Sequence, residues 1–153
     1  MRPRRSTIAT LLAEGRLERI RPDSGAARDL LDHATAHVAS ARAIARADPT
    51  GAYQLAYDAA RKAVAADMLV AGYRAKADRP GAHAAAVAYA EEALATEADA
   101  AALAALDQIR RTRNRAEYSG LAVGTAQIHA DVAVAEEIVR AVRERHAPHA
   151  TGT

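Results

Sequence analysis

The chain has no cysteine, no phenylalanine and no tryptophan, and only five of its 153 residues are tyrosine. Without cysteine there can be no disulfide, no thiolate metal site and no cysteine nucleophile. Without the large aromatics, core volume must come from small side chains, and 44 residues are alanine. Alanine favours helix and lets helices approach closely, but it removes little apolar area from water. A core of this kind is thin, so a second copy of the chain is expected to cover part of the aliphatic surface. No apolar run approaches the ~18–20 residues of a spanning helix, so no membrane association is expected. Arg2, Arg4 and Arg5 have the sign of a secretory leader, yet Glu14, Arg16, Glu18 and Arg19 leave no uninterrupted apolar region behind them, and a cytoplasmic protein is expected. Gly120 and Gly124 are not followed by Gly-Lys-Ser or Gly-Lys-Thr, no G-x-S-x-G elbow occurs, and no aromatics interleave the basic residues. Phosphate-loop, serine-hydrolase and base-stacking chemistries are thereby set aside, and no cofactor is expected.

What is present is helical periodicity. A short helix is expected from Ser6 or Thr7 to about Leu17, ended by Pro22-Asp23-Ser24-Gly25. Asp23 or Ser24 caps a second helix with the stripe Leu30, Ala34, Val38 or His37, Ala41 and Ile44 or Ala45, closed by Asp48-Pro49. A third, capped by Thr50, carries Tyr53, Tyr57, Ala60, Val64 and Met68. Another begins near Ala82 with Val87, Ala90 and Leu94, and residues 96–105 read equally as a continuation or a break. One more runs to about Tyr118. The last, capped by Thr125, carries Ile128, Val132, Ala135, Val139 and Val142 and ends before Pro148. No segment alternates as a strand would and no Asn-Gly or Asp-Gly hairpin occurs. The expectation is an all-α protein, an antiparallel up-and-down bundle of five or six helices. Residues 1–24 form a basic segment with a short helix, 25–146 the bundle, and 147–153 a disordered tail.

Charge is distributed unevenly although the net value is only +2. Positions 91–107 hold Glu91, Glu92, Glu97, Asp99 and Asp107 with no Lys or Arg, whereas 110–117 hold Arg110, Arg111, Arg113 and Arg115 against Glu117 alone. Leu106, Ile109 and Arg113 fall at i, i+3 and i+7 and share a helix face. Arg113 thus continues an apolar stripe, and a guanidinium there needs a carboxylate, a phosphate, a carbonyl cluster or a subunit boundary. Part of the cluster has an ordinary explanation in i,i+4 pairs, Asp107 with Arg111 and Arg113 with Glu117, and in the helix dipole. The anion- or nucleic-acid-binding candidates are Arg110, Arg111, Arg113 and Arg115.

Arg113-Asn114, the tyrosine-bearing helix from Ala52 to Ala63 with its Arg61-Lys62 pair, and the Gly81-Ala82-His83 helix start resemble, in order and spacing, the HEPN family (higher eukaryotes and prokaryotes nucleotide-binding) over roughly residues 25–143. The resemblance implies an all-α bundle, frequently a homodimer. It also implies an R-x(4–6)-H motif that forms a metal-independent ribonuclease site in active members. Arg113 and Asn114 match the start of that motif. The histidine would fall at 118–120, where the chain has Tyr118, Ser119 and Gly120. Tyrosine, with a reference pKa of about 10, is poorly matched to general acid–base work near neutrality. The expected function is therefore nucleotide or RNA binding without efficient cleavage, within a toxin–antitoxin or defence-type module. The alternatives are an endoribonuclease toxin, using Arg113 and Asn114 with Tyr118 or His83, and a structural adaptor. Some family members carry a tyrosine near the motif that a partner nucleotidyltransferase modifies, which makes Tyr118 a candidate and a nucleotidyltransferase or antitoxin a possible partner.

Other polar groups have plainer readings. His33 and His37 stand at i,i+4, a spacing that can chelate a metal, but Ala34, Thr35 and Ala36 between them offer no further ligand, so no metal site is assigned. Asp58 has Arg61 and Lys62 within helical pairing distance, and His83 reads as an early-helix polar residue.

Overall fold

The computed structural model describes residues 8–76, 81–95, 100–119 and 124–147, without the side chains of residues 100, 116–119 and 125. Six helices and one two-stranded sheet occur among them: α1 (Ile8–Ala13), β1 (Leu17–Arg19), α2 (Ser24–Ile44), α3 (Pro49–Ala71), β2 (Tyr73–Ala75), α4 (Ala82–Ala93), α5 (Ala100–Ser119) and α6 (Thr125–His146). The protein is an all-α helical bundle. The expected tail from 148 onward and the caps at Ser6 and Thr7 lie outside the described residues.

Helix α3 is the axis of the bundle, packing against α2, α5, α6, α4 and β2. Its expected stripe of Tyr53, Tyr57, Ala60, Val64 and Met68 is buried, and Ala52, Ala56, Ala59, Ala63 and Ala66 are buried beside it. Methyl groups on several sides of one helix let its neighbours close in, which restores the packing density that the missing aromatics would otherwise supply. Helix α6 buries Ile128, Val132, Ala135, Val139 and Val142, as its spacing implies. On α2 the buried residue of the second turn is Leu31, while Leu30 is only partly buried.

The helix starts differ from expectation in which side chain caps them. Asp48, not Thr50, caps α3, its carboxylate accepting the Gly51 amide at 3.0 Å with Pro49 at the first helical position. An anionic acceptor at the positive end of the helix is favoured over a hydroxyl one turn in. Asp23 caps α2 by accepting from Ala26 N at 2.9 Å. Gly124 precedes α6 and supplies no side-chain cap, so Thr125 is its first residue. Helices α4 and α5 are separate: Leu94 closes α4 through its amide to the Ala90 carbonyl, and α5 begins at Ala100.

Two further corrections concern the first residues. The short helix stops at Ala13, and Leu17, expected at its end, is buried in β1. Strand β1 pairs antiparallel with β2, Leu17 opposite Ala75 and Arg19 opposite Tyr73. Three-residue strands are too short to show alternation, and partners this distant in sequence leave no turn signature. The sheet is fixed by the end of α3. Gly72, at φ 86°, donates to the Met68 carbonyl, and its own carbonyl accepts from Ile20 N at 2.9 Å. A Cβ at Gly72 would stand 3.1 Å from the Ile20 carbonyl oxygen, so both the left-handed backbone and the close approach require glycine.

A charged group closes the other side. Asp67 on α3 is 1% exposed, and its carboxylate accepts from the Tyr89 hydroxyl (2.6 Å), His146 Nε2 (2.6 Å) and Arg145 Nε (3.0 Å). Arg145 also donates to the Ala93 carbonyl at 2.8 Å. One carboxylate therefore ties α3 to α4 and to the last turn of α6. Removing a buried ionic partner leaves the others uncompensated, so Asp67→Ala is expected to lower the unfolding free energy by about 3–5 kcal/mol, measured by denaturant titration of the helical circular dichroism. The phenols of Tyr53 and Tyr89 are pushed up from the ordinary 10.0, first by burial and then by their hydrogen bonds to Asp131 and Asp67. A proton held more tightly in the folded state means that this stability is complete below pH 10 and is lost as pH rises beyond it. In a 295 nm titration, these two tyrosines are expected to ionise only together with unfolding.

Candidate functional site

Helix α5 buries Ala102, Leu103, Leu106, Ile109 and Thr112, so the inner stripe turns through Thr112 and leaves Arg113 on its flank, half-buried. Among the described residues, Arg113 meets an aromatic face of the same chain. Its guanidinium carbon lies 4.9 Å from the ring centroid of Tyr57 on α3, a cation–π contact worth roughly 0.5–2 kcal/mol. Its Nη1 is 3.4 Å from Oδ1 of the neighbouring Asn114.

Tyr57 extends the arrangement. Its hydroxyl lies 3.0 Å from His83 Nδ1 at the start of α4, and His83 Nε2 lies 3.4 Å from Asp107 Oδ1 on α5. With Nε2 carrying the proton toward the carboxylate, Nδ1 accepts from the Tyr57 hydroxyl. Asp107 also takes Arg111 at 2.9 Å and Arg110 at 3.4 Å, the first of these being the i,i+4 pair that the spacing suggested. A phenol, an imidazole, a carboxylate and three guanidiniums from α3, α4 and α5 thus form one connected cluster. The other expected pair, Arg113 with Glu117, and the side chain of Tyr118 lie outside the described residues.

Electrostatics keep the imidazole neutral. Burial lowers the His83 pKa from 6.5, Arg110 lowers it further, and Asp107 acts in the opposite sense. Burial raises the Tyr57 phenol, while Arg113, Arg61 and Arg110 pull it back down. Nδ1 of His83 is engaged by Tyr57, whereas Nε2 is shielded from solvent and makes no hydrogen bond among the described residues, with Asp107 Oδ1 at 3.4 Å.

The outward face of α5 is different in character. Gln108, Arg110, Arg111, Asn114 and Arg115 line a shallow depression of about 440 Å³, with three guanidiniums and no carboxylate in its wall among the described residues. Arg115 also lies within electrostatic reach of the Tyr53 hydroxyl, which donates to Asp131 on α6. The four arginines singled out in the sequence therefore divide in role. Arg113 packs inward on Tyr57, and the other three face the depression.

Tyr57, Asp107 and His83 were legible only as a core aromatic, a helix-pairing acid and a polar helix start, since nothing in their spacing says that three helices bring them together. The Asp67 cluster left no signal beyond its residue types. His37 Nε2 accepts from Lys62 Nζ at 2.7 Å, so an ammonium occupies the side of the ring a metal would need, and His33 is exposed. Asp58 pairs with Arg61 at 3.5 Å. No protein-family model, curated protein or solved structure matches the chain.

A lowered histidine pKa has a defined stability signature. The folded state resists a proton that the unfolded chain accepts at 6.5, so the contribution of His83 is complete above that pH and declines as pH falls below it. His37, lowered by burial and then by Lys62, acts in the same direction. Imidazole NMR is expected to show His83 titrating below 6.5, and His83→Gln should flatten the fall in stability between pH 7 and pH 5. A His83 resonance titrating above 6.5 would contradict the assignment.

Proposed function

We propose that the protein is a HEPN-like domain that binds phosphates of a nucleotide or an RNA strand on the outward face of α5, without efficient cleavage. The observation that carries this is the depression walled, among the described residues, by Arg110, Arg111 and Arg115 with Gln108 and Asn114 and no carboxylate. Guanidiniums with polar donors between them recognise phosphate oxygens in bidentate fashion, and arginine holds its charge at any working pH. Supporting the family reading are the all-α bundle and the adjacency of Arg113 and Asn114 on α5. In this reading Arg113 orders the face from within, Asn114 orients it, and Arg110 adds supporting charge. The chain homodimerises through the face bearing Arg113 and Tyr118, and it serves a toxin–antitoxin or defence-type module alongside a nucleotidyltransferase or antitoxin.

Binding is favoured over an endoribonuclease for a geometric reason. A catalytic base must reach the proton it abstracts, but His83 Nδ1 is engaged by the Tyr57 hydroxyl and Nε2 is buried beside Asp107 at 3.4 Å, so neither nitrogen is open to a substrate. The phenol beside it is pushed to higher pKa by burial, away from the range useful near neutrality.

Fluorescence anisotropy with labelled single-stranded RNA tests the proposal. Affinity should fall with salt, with a logarithmic slope of about 0.7 for each phosphate contacted, and Arg110→Gln with Arg111→Gln should reduce that slope by about 1–1.5. Asp107→Asn should tighten binding, since it removes the carboxylate that competes for both arginines. The RNA should remain intact on a gel. Salt-independent binding, or affinity unchanged in the double variant, refutes the proposal. Cleavage abolished by Arg113→Ala would make the protein a nuclease, and capture of a protein partner with no RNA affinity would make it an adaptor.

A further inference from the structure

A second concavity shares no residue with the depression on α5. It is a cleft of about 410 Å³ between α3, β2 and the start of α4. Its floor is one face of α3, where Tyr57, Arg61, Ala65, Met68 and Leu69 recur at helical spacing. Its volume falls in the range of small-molecule sites, about 300–1,000 Å³, and mostly apolar walls with a few convergent polar groups are the usual build of such sites.

The cleft exists because of alanine. Ala65 on the floor and Ala86 on the α4 wall present methyl groups where a longer side chain would fill the space. The polarity is graded along its length. At one end stand the Tyr57 hydroxyl, its partner His83 and the Arg61 guanidinium, and at the other Met68, Leu69 and Tyr73. Helical rise puts Arg61 and Leu69 about 12 Å apart along the α3 axis.

Charge selects the sign of the occupant. Among the described residues the wall contains two guanidiniums, Arg61 and Arg74, and no carboxylate. Arg74 is committed to Glu18, at 2.6 Å across the sheet. Arg61 holds Asp58 at only 3.5 Å with both side chains well exposed, a pair worth little in water and readily exchanged for a ligand.

We propose that this cleft binds a small amphipathic monoanion, its charged head on Arg61 and its planar or aliphatic body against Met68, Leu69 and Tyr73. The site is independent of phosphate binding on α5. A polyanion does not fit it, because a single exchangeable cation serves the polar end and the remainder is apolar.

Two fluorescent probes of similar shape test the proposal on the full chain: 8-anilinonaphthalene-1-sulfonate, which is anionic, and N-phenyl-1-naphthylamine, which is neutral. The absence of tryptophan leaves their emission free of interference. The sulfonate should bind one site per chain and be displaced by decanoate. Arg61→Gln should weaken the sulfonate about tenfold, as the loss of one charge-assisted contact implies, and leave the neutral probe within about twofold. Ala65→Leu, and separately Ala86→Leu from the opposite wall, should abolish binding of both probes while circular dichroism stays native. Arg111→Gln should alter neither probe, and Ala65→Leu should leave RNA affinity unchanged, so this site and the α5 face stand or fall separately. Equal affinity for the two probes, no effect of Arg61→Gln, or sulfonate binding that survives both leucine variants in folded protein overturns the proposal.

Discussion

Everything in this bundle depends on how closely helices can approach α3. A chain without phenylalanine or tryptophan cannot fill wide gaps between helices, so it narrows them. Buried alanines at 52, 56, 59, 60, 63 and 66 let α2, α5 and α6 close around one axis. The approach brings dispersion contacts that alanine could not make at ordinary spacing. It also brings polar groups of neighbouring helices within bonding distance. Asp67, Tyr53 and Tyr57 all lie on α3, and each meets a partner from another helix: Tyr89, Asp131 and His83 respectively. In a core with little apolar area to spare, such directed contacts fix helix register where side-chain volume would not.

The same constraint explains the position of Arg113. The sequence places a guanidinium on the flank of an apolar stripe, and among the described residues the ring of Tyr57 covers it. An aromatic face is a suitable neighbour because it accepts the cation electrostatically without introducing a compensating negative charge. Arg113 therefore stays in place while Arg110, Arg111 and Arg115 face the outer surface, the first two sharing Asp107.

Much of this was legible in the sequence wherever a periodic signal spans several turns. Tyr53 to Met68 on α3 and Ile128 to Val142 on α6 repeat often enough to define a buried face without knowledge of the neighbours. Leu30 and Leu31 are adjacent and equally apolar, and only the orientation of α2 against α3 selects Leu31. Strands β1 and β2 escape because three residues hold no period and their pairing joins distant parts of the chain. Thr112, buried at the end of the α5 stripe, shows why Arg113 looked more central than it is: the true stripe advances in steps of three from Leu106 to Ile109 to Thr112. The cluster of Tyr57, His83 and Asp107 was not legible at all, since it is a property of three helices meeting and each residue has an adequate local explanation alone.

Asp107 is the residue through which the two halves of the site act on each other. Its carboxylate offers one oxygen to Arg111 and the other to both Arg110 and His83, so three positive or potentially positive groups share one negative charge. At neutral pH His83 is uncharged, and Asp107 serves the arginines. If an anion takes Arg110 and Arg111, the carboxylate loses its two partners and its field on His83 is no longer offset by them. A proton on His83 is then easier to hold, and by reciprocity a proton on His83 favours the anion. The α5 depression and the α3 cleft share no lining residue, and between them Asp107 reaches His83 only as a charge 3.4 Å from Nε2, while Nδ1 is engaged by the Tyr57 hydroxyl.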